Sequence, residues 1–152
     1  MKTDERQLII GRQDKATFPD FKLNNINVKI DSGAYTSAIH CSKISLNVKN
    51  QLEVIFLDDE DPNYTGEIFT FDNFFTKVVR SSNGVAEERY IISTKVLFHE
   101  DIFDINLSLT FRGSMRFPVL IGRRFLARNH FIINPRLTDH IYNKSFEDDN
   151  EL

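Results

Sequence analysis

The sequence holds one cysteine and no tryptophan in 152 residues. A single thiol, Cys41, excludes an intrachain disulfide framework and fits a reducing compartment. No apolar run approaches the roughly 18 residues that a membrane-spanning helix needs. The opening MKTDERQLIIGRQ contains no apolar core of the kind a secretory signal carries, so a cytoplasmic protein without membrane contact is expected. There is no Gly-x-x-x-x-Gly-Lys-[Ser/Thr] loop to cradle the phosphates of ATP. The acidic run DDEDPNYTGE (58–67) lacks the mid-loop glycine of a calcium-binding EF-hand and reads as a solvated loop. Zinc chemistry is equally unsupported. His-Glu-x-x-His is absent, and the four histidines at 40, 99, 130 and 140 have no helical i,i+4 pairing. His40 and Cys41, adjacent on a strand, would point to opposite faces. No metal and no cofactor is expected.

What is present begins with phenylalanine: fourteen of them, within an ordinary hydrophobic content of 41%, give one domain of this length a substantial core. Charge is unevenly placed. The net charge is −3, yet residues 105–137 contain six arginines (Arg112, Arg116, Arg123, Arg124, Arg128, Arg136), no lysine and no acid. Arginine's planar fork suits bidentate recognition of carboxylate or phosphate. A nucleic-acid partner is not expected, because the whole chain is net negative and no base-stacking motif accompanies the arginines.

Strand patterns dominate. INVKI (26–30) puts Ile26, Val28 and Ile30 on one face, and DINLSLTF (104–111) does the same with Ile105, Leu107, Leu109 and Phe111. LEVIFL (52–57), GEIFTF (66–71), FFTKVVR (74–80) and RYIISTKVLF (89–98) are rich in strand-forming residues. VVRSSNGVAEERYII (78–92) reads as a hairpin, with Asn83-Gly84 able to supply a type I′ turn. One short helix is expected at RRFLARN (123–129), Phe125 and Leu126 inward, between the apolar strands PVLIG (118–122) and FIINP (131–135). The fold class is therefore all-β, a sandwich or barrel with one short helix near the C-terminus. Residues 1–142 form the domain, and 143–152, NKSFEDDNEL, read as a disordered acidic tail.

One motif stands at a strand end. In KIDSGAYTSAIH (29–40) an apolar-in strand runs into Asp31-Ser32-Gly33-Ala34. An Asx-type turn explains such a tripeptide by itself, the Asp side chain bonding its own backbone. Its wider context is more specific. VKIDSGA (28–34) resembles the active-site signature of aspartic proteases, and PVLIGRRFL (118–126) resembles the second signature of the retroviral type, apolar-apolar-Gly-Arg followed by a helix. From about Ile10 to Pro135 the chain is similar to the bacterial retropepsin-like aspartic protease family often labelled "ATP-dependent zinc protease".

The resemblance implies a retropepsin-like closed β-barrel, in which the Gly-Arg strand crosses beside the Asp loop. It implies a homodimer, because the chain has one Asp-Ser-Gly and the chemistry needs two carboxylates. Asp31 would be the catalytic acid or base, Ser32 would brace the two loops, and Gly33 and Ala34 would leave room for a peptide substrate. The hairpin tip, with Ser82, Asn83 and Gly84, would close over that peptide. The resemblance also implies partnership with ATP-grasp ligases that attach amino acids such as glutamate, so Arg116, Arg123 and Arg124 become candidate binders of acidic peptide. Three positions depart from the pattern. Tyr35 stands where retroviral enzymes carry an acid that pairs with the Gly-Arg arginine, which leaves Arg123 without that partner, and Phe111 and Asn134 also replace expected acids. The alternative function is a non-catalytic binding module of the same fold, gripping acidic tails through the arginines.

Overall fold

The computed structural model describes residues 7–80, 84–111 and 116–150. In chain order the strands are β1 (Leu8–Ile10), β2 (Gln13–Phe18), β3 (Leu23–Asp31), β4 (Ser37–Leu46), β5 (Leu52–Phe56), β6 (Phe69–Phe71), β7 (Phe75–Arg80), β8 (Ala86–Phe98), β9 (Asp101–Thr110), β10 (Val119–Gly122) and β11 (Phe131–Ile133). Among the described residues a 3-10 turn, Pro19–Phe21, links β2 to β3, and helices follow β10 and β11: α1 (Arg123–Arg128) and α2 (His140–Asn150).

Alternation decides the faces. In β3, Leu23, Ile26, Val28 and Ile30 are buried while Asn27 and Lys29 are exposed. The β2–β3 register shifts between Ala16 and Phe18, where Asn25 adopts φ 48 and absorbs the extra residue as a bulge. In β9, Ile105, Leu107 and Leu109 are buried as expected. Phe111 is not; it lies just past Thr110, the last residue that β9 pairs with β4, and is 62% exposed.

Closure comes from β10. It pairs in parallel with β3 and antiparallel with β4, so the path β3-β2-β8-β9-β4-β10 returns on itself as a six-stranded barrel. β5 and β6 continue outward from the second half of β4, and β7 extends the first half of β8 as the expected hairpin. The hairpin's turn residues Ser81, Ser82 and Asn83 lie outside the described residues. Two groups of rings fill the interior. Phe21, Phe56, Phe69 and Phe71 interlock, with Phe21 and Phe56 stacked at 4.1 Å. Phe98, Phe103, Phe125 and Phe131 form the second group. Each ring that is fully buried contributes about 2–3 kcal/mol. The second group pins α1 to the barrel through Phe125, which fixes where the arginines of that helix emerge.

The residues from 143 onward, read from sequence as a frayed tail, form helix through Asn150. The cause is remote in sequence. Asp14, on β2 and wholly buried, accepts hydrogen bonds from the backbone N–H of Ile141 at 2.9 Å and Tyr142 at 3.1 Å, in the first turn of α2. A buried carboxylate there satisfies orphan donors and meets the positive end of the helix.

Candidate active site

Asp31 is the last residue of β3, in register with Gly122 at the end of β10. The loop that follows it turns over the end of β10. The N–H of Arg123 donates to Ala34 O at 2.7 Å, that of Arg124 donates to Tyr35 O at 3.2 Å, and that of Gly122 donates to the buried Ser37 Oγ at 2.9 Å. Three consecutive backbone donors therefore hold the Asp31 loop against the start of α1. The packing leaves no room for a side chain at position 122. A Cβ there would lie 2.6 Å from the carbonyl carbon and oxygen of Thr36.

The carboxylate itself is half-buried at the barrel rim. Its Oδ1 accepts the N–H of Gly33 at 3.0 Å, an Asx-type contact, while Oδ2 takes no hydrogen bond among the described residues. Ser32 and Gly33 are exposed and Ala34 is half-buried. One carboxylate oxygen thus shapes the loop, and the other is not engaged by a hydrogen bond among the described residues.

The arginines separate into different environments. Arg123 does not stand free: its guanidinium lies 5.5 Å from the centre of the Tyr35 ring, and Lys77 Nζ lies 6.0 Å from the same ring. The aromatic that replaced the expected acid has thus become a cation–π partner. Arg124 lines a cavity of about 120 Å³ between α1, β7 and β9, together with Arg128 and Lys77. Arg116 is exposed, over the ring of Phe117, and does not line that cavity. Gly84 is exposed with φ 82, and Ser82 and Asn83 lie outside the described residues.

Sequence reasoning did not select Arg128 or Lys77. Arg128 carried a usable signal, since it stands one helical turn from Arg124 and shares its face. Lys77 carried none, because its strand is exposed at most positions and shows no alternation. His40 and Cys41 are both buried, on different sides of β4. His40 Nε2 meets Asp58 Oδ2 at 2.8 Å, whereas Cys41 sits in the hydrophobic core and burial pushes its thiol well above the usual range. Among the described residues, no three His, Cys, Asp or Glu side chains converge as a metal-ligand set.

A closed barrel with an Asp-Ser-Gly loop tied to a crossing Gly-Arg strand defines the acid-protease class of fold. The RimB-like family model, described as retropepsin-like aspartic endopeptidase RimB, matches residues 9–144, and the chain belongs to that family. Among curated proteins it is similar to one named "Probable alpha-L-glutamate ligase" from Desulfotalea psychrophila, 28% identical over 90% of this chain and 30% of that protein. A protein of the same name from Parasynechococcus marenigrum is 29% identical over 80% of this chain and 27% of its own length. The chain thus spans less than a third of the curated relatives it matches. Among solved structures, Lpg0085 from Legionella pneumophila, of unknown function, superposes with a TM-score of 0.68 at 21% identity, covering 88% of this chain and 98% of that one.

Proposed function

We propose that the protein is an aspartic peptidase whose site forms when a two-fold axis brings Asp31 of two copies together. The observation that carries this reading is the placement of Asp31 beside Gly122, with one carboxylate oxygen committed to the loop and the other without a hydrogen bond among the described residues. Two carboxylates a hydrogen bond apart cannot both ionise, so they share one proton. The ionised member takes a proton from a water held between them, and the water oxygen bonds to the peptide carbonyl carbon. The protonated member donates to the carbonyl oxygen. The tetrahedral species then collapses: its C–N bond breaks, the amine nitrogen receives a proton from the dyad, and acid and amine products leave. The substrate is an acidic peptide. The arginines around the loop support that choice, as does the ligase name of relatives whose length this chain spans only in part. Processing of glutamate-containing peptides made by an ATP-grasp ligase is the matching role.

A second reading draws on the Asp31–Gly33 bond. In it, Asp31 only shapes a turn, and the chain is a binding module for acidic tails. Asp31→Asn separates the two readings. It retains an oxygen to accept the Gly33 N–H but cannot activate water. Under the peptidase reading, cleavage of acidic peptides is abolished while the melting temperature and the solution mass of the dimer stay unchanged. Cleavage at the wild-type rate by Asp31→Asn would defeat the peptidase reading, and a monomeric mass in an active preparation would defeat the shared dyad.

A further inference from the structure

We propose that the cavity between α1, β7 and β9 is a carboxylate subsite, set beside the dyad rather than at it, which accepts the side chain of an acidic residue flanking the scissile bond. This deepens the peptidase reading and rests on it only for the choice of a peptide as the source of the anion. Three cationic side chains line the cavity: Arg124 and Arg128, one turn apart on α1, and Lys77 from β7. Neither arginine forms an ion pair among the described residues, so their charge is not already spent. The acid in the lining, Asp104, is engaged by Lys95 from the neighbouring strand and is largely exposed. Asn106 accepts from Ser93 Oγ through its Oδ1, which leaves its amide N–H groups to donate toward an anion.

Size and floor fit an acidic side chain. The volume of about 120 Å³ is many times the roughly 10–15 Å³ that one water needs. Ile91, Ile105 and Phe125 are buried residues that also line it, giving an apolar floor against which the methylenes of a glutamate pack. The link to the Asp31 loop is direct. Thr36 and Ser37 line the same cavity, and the N–H of Arg124 is bonded to Tyr35 O in that loop. An acidic residue seated here therefore places its own backbone along the rim where Asp31 emerges. Arg123, held over Tyr35, does not line the cavity, so the discriminating arginines are the second and the sixth of α1.

The test is binding, so that it does not depend on turnover. Calorimetry with Asp31→Asn protein compares the peptide Ala-Glu-Glu-Glu-Ala with its glutamine counterpart, Ala-Gln-Gln-Gln-Ala. Charge-assisted hydrogen bonds at a partly open site should favour the glutamate peptide by on the order of tenfold or more. Combining Arg124→Gln with Arg128→Gln should erase that preference, and Lys77→Gln should reduce it. All three side chains project from the surface, so a circular-dichroism melt verifies that the variants fold. Amide signals of Ile91 and Ser108 should move on binding. A glutamate preference that survives the double substitution, equal binding of the two peptides, or shifts confined to other surfaces would each overturn the subsite. The dyad is judged separately, by cleavage in protein with Asp31 intact. Arginine-dependent binding without any cleavage would leave the subsite standing and remove the peptidase.

Discussion

Replacing Gly122 with alanine tests the joint on which the site depends. Gly122 has φ −90 and ψ 171, extended backbone that any residue adopts, so conformational freedom is not the reason for glycine here. Space is the reason. The added Cβ would sit 2.6 Å from Thr36 C and O and 3.0 Å from Ala34 O. Carbon atoms in ordinary contact are about 3.5–4.0 Å apart, so strand and loop must separate by roughly 1 Å. The obstructing atoms are backbone and cannot rotate aside. Over-packing of this kind costs about 1–3 kcal/mol. Separation also strains the Arg123–Ala34 and Gly122–Ser37 bonds, and losing one adds about 0.5–1.5 kcal/mol. The expected destabilisation is about 2–4 kcal/mol, which for a domain of this size lowers the melting temperature by about 5–15 °C. Thermal and urea unfolding measure it. Gly33→Ala is the comparison, because its Cβ would meet only Asp31 Oδ1 at 3.3 Å. An exposed change of that kind should stay within about 0.5 kcal/mol of wild type. If Gly122→Ala melts with Gly33→Ala, the loop is not held by β10 as described.

Two further outcomes follow from single contacts. Asp14→Ala removes the acceptor for the N–H groups of Lys15, Ile141 and Tyr142 and should cost about 1–3 kcal/mol, with loss of helical signal at 222 nm assigned to α2. Burial raises the Asp14 carboxyl above its ordinary value of 3.8, against the lowering effect of those hydrogen bonds. The folded protein therefore binds this proton more tightly than the unfolded chain. Its contribution is fully present below pH 3.8 and is lost as pH rises through the raised folded value. Asp14→Asn should remove that slope, and a wild-type profile that rises across the same window relative to Asp14→Asn would contradict it. Between Tyr35 and Arg123, a double-mutant cycle with alanine should give a coupling of about 0.5–1 kcal/mol by urea unfolding, and zero coupling would mean that the ring does not hold the guanidinium.

Sequence carried the barrel wherever burial alternates, as in β3 and the first part of β9, because one buried face writes its period directly into the residues. It carried the Asp31 loop and the Gly122-Arg123 strand because each holds a short motif. Other features were illegible for identifiable reasons. β2 buries Asp14, Ala16 and Phe18, so a carboxylate on the inward face breaks the hydrophobic alternation that would have announced the strand. That same residue supplies the missing signal for α2, whose first-turn donors find their acceptor more than a hundred positions away in sequence. NKSFEDDN read locally has few apolar residues and no reason to be helix. The cavity beside Asp31 was half legible: the Arg124–Arg128 spacing is visible on a helix, but Lys77 joins them only through the β7–β8 pairing.

Tyr35 shows how a departure from a motif alters the electrostatics around it. An acid at that position would pair with the Gly-Arg arginine and cancel one positive charge beside the Asp31 loop. A ring does not. Its face attracts Arg123 and Lys77, each for about 0.5–1 kcal/mol at an exposed site, without adding a negative charge of its own. Arg124 and Arg128 form no ion pair among the described residues, and the acid lining the adjoining cavity is turned to Lys95. An ion pair within the chain would have made the loop self-sufficient. The ring holds the arginine in place and, in the proposed reading, leaves its charge for an incoming anion, an attraction that salt should weaken over a screening length of about 8–10 Å. Tyr35, which breaks the expected pattern, and the arginine it holds are thus parts of one arrangement, and in the proposed reading that arrangement favours an acidic peptide.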